Sequence, residues 1–258
     1  MEAPLIGLSG GINSMAVLCW LAEQKEKPDT VHLFYAHFKE HSPDTFQFVA
    51  DGIRFARKNF KNVHVKITRN SIIDYFREIK AILHPTRGLC SFQLKIEPAA
   101  KYAFDNDIKI DLVGYVKHEL KRRAGKQQEN LQVDLFSLEK HYPIGEFTDE
   151  WCFDMVKKYI GWWPALYDLI WSEEDYLEGL CEKSDIGKRI FKHNNCLPCK
   201  NMYPKQIKAI KKYFPPYYLK AIKLSADLGS FWGRNEAEFY TKFGRDLGQD
   251  STCEACKF

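Results

Sequence analysis

The sequence predicts an α/β fold, a parallel sheet with helices on both faces, followed by a helical extension that carries cysteines. Three observations predict it. Short apolar runs of strand length alternate with stretches of helical period along roughly the first 145 residues. The first of these runs ends in a glycine pair and passes directly into an apolar helical stripe. Beyond about residue 145 the strand signal fades and only helical periods remain.

The elements follow in order. Pro4 to Leu8 reads as a buried strand, Ser9-Gly10-Gly11 as a tight turn, and Ser14 to Glu23 as a helix. Val31 to Ala36 is strand-like in length and in its Val, Phe and Tyr content. Pro43 to Asn59 is periodic, with Phe46, Val49, Ile53 and Phe55 on or near one helical face. Asn62 to Ile67 alternates as a strand, and Ser71 to Ile82 and Ile96 to Asp105 read as helices. Ile110 to Tyr115 makes a fourth strand. Strands separated by helices imply parallel pairing and a sheet covered on both sides. In the last third, Thr148 to Tyr159 is a helix with Thr148 as its N-cap. Pro204 to Lys212 and Tyr217 to Leu228 are helices split by Pro215-Pro216. The reading gives an α/β domain over 1–145 and a helical part with Cys-x-x-Cys motifs over 146–258.

A chain of 258 residues with 28% charged residues has the composition of a folded protein, not of a disordered one. Its net charge of +4 is too mild to imply nucleic acid by itself. No run of 18 apolar residues occurs, which excludes a helical membrane span, and Met1 to Leu8 lacks the pattern of a secretory signal. The expectation is a cytoplasmic protein.

The sharpest local signal is Leu5-Ile6-Gly7-Leu8-Ser9-Gly10-Gly11-Ile12-Asn13-Ser14. Glycines permit backbone angles that aim successive N–H groups at one point and let an anion come close. The following helix adds its positive end, and Ser9 and Ser14 add hydroxyls. The segment reads as a cradle for phosphate oxygens. It is not a Walker A loop, since no Gly-Lys-Ser/Thr closes it.

The eight cysteines include two Cys-x-x-Cys pairs, Cys196/Cys199 and Cys253/Cys256. Together the pairs make a four-thiolate set of the structural zinc type, and their spacing equally suits iron–sulfur ligation. A terminal Cys-x-x-Cys can also act as a redox or sulfur-relay pair. Cys19 on its apolar helix face, Cys152 and Cys181 read as core residues. Lys117 to Lys126 and Lys200 to Lys212 each hold five basic residues. They read as solvated helix faces more readily than as a nucleic-acid groove. His37, His41 and His193 read as surface or capping residues, and Trp162-Trp163-Pro164 as a packed corner.

The loop resembles the SGGxxS signature of the PP-loop ATP pyrophosphatases, whose usual SGGxDS aspartate is Asn13 here. Further stretches are similar to the phosphoadenosine phosphosulfate reductase-like branch of that superfamily. His41-Ser42-Pro43-Asp44-Thr45 with Phe46 and Phe48 resembles its FPET stretch. Arg87-Gly88-Leu89-Cys90-Ser91 through Lys95-Ile96-Glu97-Pro98 resembles its CCxxxKxxP segment. Gly114, Glu119, Arg122 and Arg123 fall on a third segment. Tyr142-Pro143-Ile144, Thr148-Asp149-Glu150 and Tyr159-Ile160 fall on a fourth, and Asn195-Cys196-Leu197-Pro198-Cys199 on a GCxPC fifth.

The resemblance implies an adenine nucleotide alpha hydrolase-like fold and an enzyme that binds ATP or an adenylyl nucleotide with Mg. Ser9, Gly10, Gly11, Asn13, Ser14, Lys95 and Gly114 would bind the nucleotide. Arg122 and Arg123 would stabilise charge on phosphate or sulfate. It implies a 4Fe–4S cluster on Cys90, Cys196 and Cys199, with Ser91 in place of a fourth cysteine, so that Cys253 or Cys256 supplies the fourth ligand or one iron stays open to a sulfur; the rival is zinc on Cys196, Cys199, Cys253 and Cys256. Cys253 and Cys256 are the candidate reactive thiols, although the reductases' terminal Glu-Cys-Gly-x-His stretch is absent. The chemistry implied is adenylation of an acceptor coupled to sulfur transfer, with reduction of an adenylyl sulfate or a non-catalytic binding module as alternatives. Candidate partners are a small-molecule or nucleic-acid acceptor, a sulfur-donor protein and a second copy of the chain in a homodimer, with no membrane.

Overall fold

The structure is a computed structural model that describes residues 2–82, 88–121 and 138–229. The chain falls into two compact units with interleaved segments. One takes the described residues of 1–37, 42–69 and 91–167, the other those of 38–41, 70–90 and 168–229.

The sheet has the order β3-β2-β1-β4-β5. Its strands are β1 (Leu5–Gly7), β2 (Thr30–Phe38), β3 (Asn62–Asn70), β4 (Ile110–Leu112) and β5 (Glu139–His141). β1 pairs in parallel with β2 (Ile6 opposite Leu33) and with β4 (Ile6 opposite Leu112). β4 pairs in parallel with β5, with Asp111 opposite Lys140. From β1 the chain adds β2 and β3 on one side and then returns to add β4 and β5 on the other. The order therefore reverses at the carboxyl ends of β1 and β4, the place where open α/β sheets bind ligands.

Both faces of β2 are covered. Val31 through Ala36 are buried at consecutive positions, which an alternating strand allows only with layers on each side. The even residues His32 and Phe34 meet Tyr102 of α4 (Glu97–Asp105), at ring distances of 5.9 and 6.1 Å. The odd residue Tyr35 meets Phe46 of α2 (Thr45–Asn59) at 6.4 Å.

Helix α1 (Ile12–Glu23) is apolar through most of its length, and Met15 to Cys19 and Leu21 are buried. It packs against α5 (Asp149–Tyr159), which begins as read from the sequence: Thr148 Oγ1 accepts the Trp151 N–H at 3.4 Å. Helix α3 (Ile72–Glu78) is capped by Ser71, whose Oγ accepts the Asp74 N–H at 3.0 Å. It stops four residues before the expected Ile82, because Lys80 turns left-handed with φ +53°. The start expected at Ile96 is preceded by a turn at Leu89–Ser91 and a π-helical turn at Phe92–Ile96.

The fourth strand ends at Leu112, not at Tyr115. The three residues of β5 carry polar side chains and were not legible as a strand; β4 supplies their pairing. The remaining helices are α6 (Glu173–Leu177), α7 (Pro204–Tyr213) and α8 (Pro215–Leu228). Pro215 and Pro216 open α8 instead of separating it from its first turn, since proline fits the first helical positions.

Candidate functional site

The loop after β1 sits at the reversal point of the sheet. Leu8 still pairs, its N–H donating to the Phe34 carbonyl at 2.8 Å. Gly10 then takes φ +78°, a left-handed angle open to glycine, and Gly11 extends into the N-cap position of α1. The loop is tied to itself. Ser14 Oγ donates to the Gly11 carbonyl at 3.0 Å and accepts the Ser9 N–H at 3.1 Å. Ser9 Oγ accepts the Gly11 N–H at 3.2 Å and lies 3.1 Å from Ser14 Oγ. With the Ser14 proton on the carbonyl, Ser9 is the donor of that last pair. The two hydroxyls expected to face a phosphate are thus committed within the loop, and an anion gains them only by exchange.

Gly114 explains how the two strand ends meet. A Cβ there would stand 3.0 Å from the carbonyl carbon and oxygen of Asn13 and 3.1 Å from the Ser14 nitrogen. Any side chain at 114 would push the end of β4 off the start of α1. Gly114 thus acts through backbone contact with the loop. Asn13 points its amide at Glu119, donating from Nδ2 to Oε2 at 3.1 Å. Glu119 lies in a helical turn at 117–121 and is 4% exposed. The first-turn N–H of Ile12 is met from far along the chain by the hydroxyl of Tyr167, at 3.4 Å. Tyr167 carried no signal in the sequence as a member of the loop.

Other expected residues are placed as follows. Lys95 is half-buried on the π-helical turn. Arg122 and Arg123, Cys253 and Cys256, and Arg87 of the CCxxxKxxP-like stretch lie outside the described residues. Cys90, Cys196 and Cys199 all belong to the second unit. Cys196 is buried, Cys90 and Cys199 are half-buried, and the Asn201 N–H donates to Cys199 Sγ at 3.5 Å. Beside them Lys200 is 2% exposed, with its ammonium pKa pulled down by burial while negative charge on Cys90 and Cys199 opposes the shift. Lys200 therefore leaves the solvated face on which its charge run placed it. Lys205 and Lys212 of the same run bind Asp185 and Asp175, each at 2.9 Å. Among the described residues no three His, Cys, Asp or Glu side chains are grouped to hold a metal ion.

Cys19 and Cys152 are core residues, with burial pushing both thiols up to about 12. Cys181, expected in the core, is only half-buried. His41, expected at the surface, is 2% exposed against Phe38. No helix among the described residues is long and apolar enough to cross a membrane.

No protein-family model matches the chain, and no curated protein is similar to it. Among solved structures it is similar to a phosphoadenylyl-sulfate reductase from Candida auris in its phosphate complex, at 15% identity and a TM-score of 0.43 over 65% of this chain and 78% of that one. It is similar to an NMN synthetase from Francisella tularensis at 13% identity and a TM-score of 0.45, covering 85% and 86% of the two chains. It is also similar to the U34-tRNA thiolase NcsA from Methanococcus maripaludis with its [4Fe-4S] cluster, at 13% identity and a TM-score of 0.45, over all of this chain and 80% of that one.

Proposed function

We propose that the chain is a PP-loop enzyme that binds ATP at Ser9–Ser14 and adenylates an acceptor with release of pyrophosphate. The observation that carries this reading is the placement of the glycine loop at the sheet's reversal point, with Gly114 after β4 in backbone contact with Asn13 and Ser14 after β1. Phosphate oxygens would meet the positive end of α1 and, by exchange with the bonds inside the loop, its N–H and hydroxyl groups.

In the proposed reaction an acceptor oxygen attacks the α-phosphorus. The new P–O bond forms as the bond to the β-phosphate oxygen breaks, and pyrophosphate leaves. Aimed N–H groups stabilise the charge that develops on the phosphates, together with Arg122 or Arg123. A thiolate then attacks the activated carbon, forming a C–S bond as the C–O bond breaks and AMP departs. For sulfur to be transferred the attacking thiolate is the outer sulfur of a cysteine persulfide charged by a sulfur donor; a second cysteine thiolate then attacks the inner sulfur, the S–S bond breaks, a disulfide forms between the two cysteines and the thiolated product leaves.

One observation favours a second reading, a nucleotide-binding module without cleavage. Asn13 offers Glu119 a neutral amide where a second carboxylate would help hold a divalent cation. Titration with ATP and a pyrophosphate-release assay over a panel of acceptors separate the two. Tight binding with release supports the enzyme, binding without release supports the module, and no binding removes both.

A further inference from the structure

The segment that follows α5 runs from Trp162 to Tyr167 and is fastened at successive points. Trp162 donates its indole N–H to Asp51 at 3.0 Å and meets the Phe48 ring edge-on at 5.5 Å. Trp163 meets Phe153 edge-on at 5.0 Å. Ala165 donates its N–H to Asp44 Oδ2 at 2.6 Å, and the other oxygen of Asp44 accepts Ser42 Oγ at 2.6 Å. Leu166 and Tyr167 are 1% and 2% exposed, and the Tyr167 ring meets Phe153 at 5.6 Å. This strap ends with the Tyr167 oxygen on the Ile12 N–H, across 155 positions of sequence.

The contact fills a gap in α1. A helix ordinarily finds an acceptor for its first free N–H groups in a Ser, Thr, Asp or Asn at the N-cap. Gly11 holds that position and has no side chain to offer. It cannot readily gain one, since a Cβ there would stand 3.2 Å from both the Tyr167 and Ser9 oxygens. Burying a phenol where phenylalanine would pack as well costs free energy unless the oxygen is bonded. Here the oxygen bonds the first turn of the loop helix.

We propose that Tyr167 is a positioning residue for the phosphate loop: its hydroxyl braces the Gly11–Ile12 peptide and so holds the loop in the conformation that meets the anion. The inference rests on the nucleotide reading above. A braced loop meets the anion without reorganising first, which strengthens binding of the phosphates and leaves recognition of the nucleoside alone. The strap makes this brace depend on Asp44, Asp51 and Phe153, none of which belongs to the loop.

The test compares the full chain with Tyr167→Phe, which keeps the ring and removes the oxygen. Circular dichroism verifies the fold. Calorimetric titration measures ATP, adenosine and inorganic pyrophosphate, and amide exchange follows the Ile12 N–H. The expected result is about a fivefold loss of affinity for ATP and for pyrophosphate, with adenosine unchanged and faster exchange at Ile12. Unchanged affinity for both phosphate probes overturns the inference, whatever the exchange rate does. So does an equal loss for adenosine, which would mark general damage.

If the wild type binds pyrophosphate in a Tyr167-dependent way but does not bind ATP, the nucleotide reading fails and the brace stands. Binding of neither probe ends both. Should Tyr167→Phe not fold, Asp44→Asn loosens the Ala165 anchor. It is expected to lower phosphate affinity in the same direction, and no change there overturns the inference.

Discussion

Asn13 and Glu119, 106 positions apart in sequence, meet at 3.1 Å with the amide donating to the carboxylate. An amide suits a buried carboxylate that a second carboxylate would repel. Asn13→Asp is therefore expected to destabilise the protein by about 1–3 kcal/mol near neutral pH, through like charge at hydrogen-bond distance. The loss should shrink in the double variant Asn13→Asp, Glu119→Gln, where the amide returns on the other side. Urea unfolding of the wild type and the two variants checks this.

Gly114 and Gly52 separate rigid from yielding contacts. A Cβ at 114 meets the backbone of Asn13 and Ser14 at 3.0–3.1 Å, and backbone cannot step aside. A Cβ at 52 would come closer, 2.4 Å, yet its tight contacts are with the end of the Met15 side chain, and Leu18 stands at an ordinary 3.8 Å. Methionine changes rotamer easily. Gly114→Ala is expected to cost about 1–3 kcal/mol and to weaken ATP binding, whereas Gly52→Ala should cost less and leave binding alone. Chemical denaturation and ATP titration of both variants measure it.

Asp111, on β4 between β1 and β5, has its carboxyl pushed up to about 6 by burial, with Lys140 opposing the shift. A carboxyl raised above its unfolded value holds its proton longer in the folded state, so folding loses stability as pH climbs from about 4 to about 6. Above that window the penalty is constant, on the order of 3 kcal/mol for a shift of this size. Asp111→Asn is expected to remove the slope and to be the more stable protein at pH 7.5. Thermal melts of both proteins between pH 4 and 8 check it, and parallel curves would refute the assignment.

The thiols should separate by reactivity. Cys19 and Cys152 are fully buried with their pKa values pushed up to about 12, so they should resist alkylation until the protein unfolds. Cys90, Cys181 and Cys199 are half-buried and should be modified in the native state. Pulsed alkylation followed by peptide mass mapping gives the order.

Most of the sheet was readable because strand and helix periods are local. Six of the nine residues of β2, Val31, Leu33 to Ala36 and Phe38, are apolar or aromatic, and a stretch of that density belongs in a covered strand. The glycine loop was readable for the same reason, since its conformational demands act within a few residues. β5 was not readable, because Glu139-Lys140-His141 has neither alternation nor apolar content and is a strand only through its hydrogen bonds to β4. Residues whose role depends on a neighbour were also hidden. Lys200 reads as one lysine in a basic run until folding buries it.

By itself the sequence determined the first four strands and the helices between them, the glycine loop, the Thr148 cap and the apolar core of α1, all properties of residues within a few positions of one another. The tertiary structure decided what the loop touches: Gly114 against the Asn13–Ser14 backbone, Glu119 on the Asn13 amide and Tyr167 on the Ile12 N–H. Those contacts join residues about a hundred or more positions apart, and no local period encodes them. They exist because the parallel sheet returns β4 to the side of β1 and because the strap after α5 is fastened to α2 and to the residues before it.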